Sequence, residues 1–193
     1  MKRILAMVLA LLLCGAALAE GFVVNTGVVW GMTLEEVLAT VKPADYEIEP
    51  FGALGAQKLE IDDMRCTGGE YELKYLFFDG VLAAVGYEFD AEEFTPSAIG
   101  GALDARYGAR GDGDTGLFCD LMSALTGGNY ALTANLRAGD YFCDWADDEE
   151  NYVVMTNRTS DDGDDIYVFI FDTLSILGGF SVAEPAPALN PDW

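Results

Sequence analysis

The chain has 193 residues, with 33 acidic against 10 basic side chains, a formal charge of −23 and no histidine. That acidity sets the surface against nucleic acid and anionic lipid. The missing imidazole excludes Ser-His-Asp and Cys-His catalysis, histidine-ligated metals and histidine acid-base chemistry, so an enzyme built on this chain would need carboxylates, lysine or tyrosine.

Lys2 and Arg3 precede an apolar run from Ile4 to Leu13, and Ala17-Leu18-Ala19 stand before Glu20. A basic start, a short greasy centre and small residues at a cut site predict a secretory leader over 1–19 and a secreted, extracytoplasmic protein beginning at Glu20. The run is too short to cross a bilayer, which takes about 20 residues. Leu11-Leu12-Leu13-Cys14 offers a lipid-anchoring alternative at Cys14, but Leu13 fits poorly before an acylated cysteine, and Ala17-Leu18-Ala19 is the better cut. The leader holds two of the ten basic residues and no acid, so what remains carries 33 acids and eight bases, a formal −25. Removing 19 of 193 residues leaves 174, enough for one domain over 20–182 or two small repeats sharing a sheet.

Cys66, Cys119 and Cys143 follow the leader, an odd number for an oxidising compartment. At most one internal disulfide can form. The expected pair is Cys119 with Cys143, because both lie in the second half and Cys143 shares a strand face with Tyr141 and Trp145. The alternative is three small buried apolar groups. With no CxxC, the cysteines make no zinc signature.

In chain order, Thr33-Leu34-Glu35-Glu36 is a capping box, with Met32 and Val37 at the two staple positions. Leu34, Val37, Leu38 and Val41 recur at helical spacing, and Pro43 ends the first helix. Short strands follow over 46–49 and 57–62, then a hairpin of 71–78 with 81–89 around Asp79-Gly80. A two-residue loop would mismatch the apolar faces. A three-residue loop with Gly80 as a bulge pairs Phe77 with Val81, Tyr75 with Ala83, Leu73 with Val85 and Tyr71 with Tyr87, and is the expected register. Thr95-Pro96 opens a second helix buried through Ile99, Ala102, Leu103 and Tyr107, with Gly108 ending it in a left-handed conformation. Gly100 and Gly101 each weaken that helix by about 1 kcal/mol relative to alanine. A third helix lies within 117–126, where Leu117, Leu121, Met122 and Leu125 share a face. Strands over 129–137, 141–145, 152–157 and 166–171 then read as a meander, and a proline-rich tail occupies 183–193. The fold class is α+β: antiparallel sheet with two to three short helices packed on one face.

Trp30-Gly31-Met32-Thr33 followed by Glu35-Glu36-Val37 resembles the opening helix of small exported bacterial proteins of the β-lactamase-inhibitor-like class. It is similar, too, to the small lipoprotein of the outer-membrane barrel-assembly machinery. The resemblance implies tandem helix-plus-sheet repeats, here over 30–90 and 94–173 with openings at Thr33 and Thr95. It further implies a binding or inhibitory role towards an extracytoplasmic partner. No functional residue of that class maps onto this chain.

Asp161-Asp162-Gly163-Asp164-Asp165 places four carboxylates in five residues, and Arg110-Gly111-Asp112-Gly113-Asp114 adds two beside glycines. Clustered aspartates suit calcium, so Asp161, Asp162, Asp164 and Asp165 are candidate ligands. Neither stretch has EF-hand register, and the ordinary reading is a solvated turn. Arg110-Gly111-Asp112 spells an integrin-binding tripeptide by chance, and Asn157-Arg158-Thr159 is a formal glycosylation sequon. Adjacent acids such as Glu35-Glu36 and Glu92-Glu93 do not by sequence alone face each other across a cleft, as a glycosidase requires. The last strand is apolar on both faces, with Ile166, Val168 and Ile170 on one and Tyr167, Phe169 and Phe171 on the other. It is therefore central and doubly covered, or its aromatic face binds something. The expectation is a non-enzymatic secreted module that recognises an extracytoplasmic protein through Tyr167, Phe169 and Phe171. A calcium-binding surface protein is the alternative, ahead of a carboxylate hydrolase. No cofactor other than calcium is expected.

Overall fold

Antiparallel pairing organises the chain in a computed structural model, which describes residues 27–52, 55–66, 69–111, 113, 115–128, 142–146, 151–159 and 164–177. The elements are α1 (Leu34–Val41), β1 (Glu47–Phe51), β2 (Ala56–Cys66), β3 (Gly69–Phe78), β4 (Val81–Asp90), α2 (Pro96–Tyr107), α3 (Thr115–Thr126), β5 (Phe142–Ala146), β6 (Asn151–Thr159), β7 (Asp164–Asp172) and α4 (Thr173–Leu177). The strands join in the order β1-β2-β3-β4-β7-β6-β5, every pair antiparallel. The architecture is α+β. The segment over 1–19 expected to be a leader, Cys14 within it, the strand expected over 129–137 and the proline-rich segment 183–193 lie outside the described residues.

The helix openings form for local reasons. The Thr33 amide donates to Glu36 Oε2 at 2.9 Å and the Glu36 amide to Thr33 Oγ1 at 3.3 Å, completing the capping box. Thr95 caps α2 by accepting from the Ala98 amide, with Pro96 in the first turn, where its missing N–H is no loss. Gly108 ends α2 at φ +87°, though its ψ of −155° lies outside the left-handed helical region. Within α2 the two glycines differ. A Cβ on Gly100 would come within 2.8 Å of the Arg110 guanidinium, whereas one on Gly101 would meet nothing within 4 Å. Gly101→Ala is therefore expected to stabilise the protein by about 0.5–1 kcal/mol, read as a higher urea midpoint at unchanged slope.

Helices cover both faces of the sheet, not one. On the first face Val37 of α1 and Ile99, Ala102 and Leu103 of α2 pack with Leu59, Leu73, Tyr75, Tyr87, Met155, Ile166, Val168 and Ile170. On the second, Phe118, Leu121, Met122 and Leu125 of α3 and Ile176 of α4 pack with Leu76, Ala84, Tyr152, Val154 and Phe171. The cause is the composition of the central strands. β7 sits between β4 and β6 and alternates apolar residues to both sides, so one helical layer would leave half of its apolar surface in water.

The β3/β4 hairpin differs from its expected register. Phe78 pairs with Val81 across a two-residue loop in which Asp79 and Gly80 take φ of +51° and +84°. The register then shifts between the Phe77–Leu82 and Leu76–Ala84 pairs, so that Tyr75 faces Val85, Leu73 faces Tyr87 and Tyr71 faces Phe89. The requirement that apolar faces agree is met, but by a β-bulge at Ala83 rather than by a longer loop.

The expected Cys119–Cys143 disulfide is absent. Cys143 belongs to the first-face core, whereas Cys119 on α3 packs against the second. Their side chains therefore serve opposite layers of the sheet and do not face each other as a disulfide requires. Burial raises the Cys143 thiol above its usual range.

Candidate functional site

The second face of the sheet changes character along its strands. Where α3 and α4 lie, it presents Phe51, Leu76, Phe78, Ala84 and Phe171. Further along the same strands it presents Glu49, Lys58 and Glu60, then Glu72 and Lys74, then Glu88. Side chains of one parity share a face, so this switch within single strands marks where helical cover stops.

Lys74 is the hub of the charged half. Its ammonium pairs with Glu60 at 3.3 Å, with Glu72 at 3.0 Å and, more closely still, with Glu88. Lys58 pairs with Glu49 at 3.2 Å and closely with Glu60. The Tyr167 hydroxyl donates to Glu88 Oε1 at 2.9 Å, carrying the network onto β7. Only 18% of the Lys74 side chain and 20% of Glu88 are exposed, so the centre of the network is shielded from water, whereas Glu72 at its rim is 42% exposed. Burial works against the Lys74 charge, but its carboxylate partners outweigh burial and hold it protonated far above the ordinary lysine range. Burial, with the neighbouring Glu88 charge, likewise raises Tyr167. Neither group supplies a nucleophile or a base near neutral pH.

The carboxylates divide. Burial pushes Glu60 up, yet hydrogen bonding to Lys58 and the charge of Lys74 bring it below its usual range. Glu72 is raised, first by burial and then by the charges of Glu88 and Glu60. Asp165 is raised by burial and by Glu88 and Asp90. Acid therefore exceeds base on this half, and the excess is held at an electrostatic disadvantage. Oxygens of Glu60, Asp62 and Glu72 lie within 4.8 Å of one another, the spacing a cation would need, but Lys58 and Lys74 already serve as counter-ions to Glu60 and Glu72.

Three rings border the charged half. Tyr167 and Phe169 stack with planes 6° apart, and Phe169 stacks on Phe171. Phe171 is wholly enclosed beneath Phe118 of α3, so of the three aromatics expected to form a binding face it offers a partner nothing. Tyr167 and Phe169 remain partly exposed. Phe169 lies over Gly86 of β4, where a Cβ would approach its ring to 3.1 Å. Comparison with protein-family models, with curated proteins and with solved structures returned no match.

Of the proposed calcium ligands, Asp161 and Asp162 lie outside the described residues, as do Asp112 and Asp114. Asp164 pairs with Thr159 at the end of the β6/β7 ladder, and Asp165 belongs to the charged half. The Arg-Gly-Asp tripeptide is tied down at its first two residues. Arg110 grips Asp104 with two hydrogen bonds and lies over the Trp145 ring, while Gly111 forms a bridge with Asp144. Arg110 and the Trp145 indole, which donates at 3.0 Å, hold Asp104 below its usual range. Asn157 of the sequon stands within β6, opposite Ile166. Glu36 serves the α1 cap, and Glu93 accepts from the Glu70 amide, so one carboxylate of each adjacent pair is engaged with backbone. The aromatic half of the surface was legible from the last strand. The lysine-glutamate network was not singled out, although Lys58/Glu60 and Glu72/Lys74 share parity on neighbouring strands.

Proposed function

We propose that this protein is a non-enzymatic, extracytoplasmic binding module that recognises a protein partner through the charged half of its second sheet face. The observation that carries the reading is the place where helical cover ends: there Tyr167 and Phe169 remain partly exposed beside an acid-rich network. Aromatic groups that are apolar at one end and hydrogen-bonded at the other are suited to protein recognition. The protonated Lys74 and Tyr167, and a sequence without histidine, support binding over turnover. The test is affinity capture from the native extracytoplasmic fraction with the wild-type protein and with Tyr167→Ala as bait. A stoichiometric partner retained by wild type and lost from the variant is expected; equal retention by both would overturn the assignment of this face.

A further inference from the structure

The charge balance of this face restricts what can occupy it, and the following rests on the protein-binding reading above. We infer that the occupant is a cationic protein segment whose arginine or lysine enters beside Glu72, Glu88 and Asp165 while its aliphatic side chains lie on Phe169.

Three observations lead there. An ammonium has three donors, and those of Lys74 are already directed at Glu60, Glu72 and Glu88, so the excess acid has no further internal cation to draw on from that residue. Glu72 and Asp165 both sit above their usual range because burial and like charge disfavour their ionised forms, and an arriving cation removes that disadvantage. The stacked Tyr167 and Phe169 rings give the same region an aromatic floor, and the absence of a side chain at Gly86 lets Phe169 lie down against β4. Carboxylates beside aromatic rings match a guanidinium in particular, which takes bidentate hydrogen bonds at its edge and stacking on its plane. A second copy of this chain would set acid against acid, since each carries a formal −23, and nucleic acid or an anionic membrane meets the same repulsion.

Fluorescence anisotropy with a labelled peptide of alternating arginine and leucine tests this, its glutamate-leucine counterpart serving as the negative probe. Wild type is expected to bind the cationic peptide alone and to lose it as salt rises from about 0.05 to 0.5 M. Glu72→Lys, at a side chain 42% exposed, is expected to weaken binding at least tenfold. Glu72→Gln, which keeps the shape, should weaken it about threefold and serves if the reversal perturbs folding. Glu35→Lys on α1, which packs on the opposite face, makes the same change in net charge and should alter binding less than twofold. Equal losses for Glu72→Lys and Glu35→Lys, or no binding by wild type, would overturn the inference. Native capture lost with Tyr167→Ala but untouched by Glu72→Lys keeps the binding function and overturns the cationic occupant. Peptide binding without native capture overturns the function and leaves the face's preference for cations standing.

Discussion

Lys74→Met should destabilise the protein by about 2–3 kcal/mol at pH 7, with much of the loss recovered at pH 4. The substitution keeps the aliphatic stem but removes the ammonium that holds Glu60, Glu72 and Glu88 together on a partly buried face. Breaking a shielded pair leaves uncompensated charge, which is why the effect exceeds that of a surface salt bridge. The pH dependence follows from linkage. In the wild type, Glu60 is held low, so its contribution is present above its unfolded value and lost as pH falls through the folded one. Without Lys74 the network acids rise in the folded state, which then takes up protons more readily than the unfolded chain does, so the variant gains stability as pH falls. Urea unfolding of both proteins at the two pH values measures this. A penalty equal at pH 7 and pH 4 would mean that Lys74 acts through packing rather than charge.

Phe118→Ala should be the more damaging change, lowering stability by about 3–5 kcal/mol, as large-to-small core substitutions of aromatics do. Phe118 is fully enclosed and meets Phe142, Phe169 and Phe171 at centroid distances of 5.5, 5.8 and 5.9 Å. It is the point at which α3 grips β5 and β7 together. At roughly 2–4 °C per kcal/mol for a chain of this size, a fall in Tm of about 6–20 °C is expected. Hydrogen exchange should show α3 losing protection before β7, because β7 keeps its other face buried through Ile166, Val168 and Ile170. A loss below about 1 kcal/mol would show that α3 does not depend on this contact.

Local rules were readable wherever neighbours in sequence settle the energy. The α1 capping box, the Thr95-Pro96 opening of α2 and the β5 to β7 strands required only side chains a few residues apart and the alternation of apolar positions. The hairpin shows where this stops. Matching Tyr71, Leu73 and Tyr75 to an apolar face of β4 was a sound demand, but a longer loop and a bulge satisfy it equally. The bulge at Ala83 serves the other side too, because Ala83 and Ala84 both join the second-face core.

The same boundary governs the candidate site. Acidity, the absence of histidine and an aromatic last strand are properties of the chain alone, and the second of them removes imidazole from its chemistry. Helical cover on both faces, the separation of Cys119 from Cys143 and the enclosure of Phe171 arise only once β4 and β7, some 80 positions apart, become neighbours. The gathering of Lys58, Glu60, Glu72, Lys74, Glu88 and Tyr167 into one network has that origin as well. Each of these charges taken singly reads as solvated surface. What makes them a shielded network is long-range strand pairing, whose register depends on burying both faces of the sheet at once.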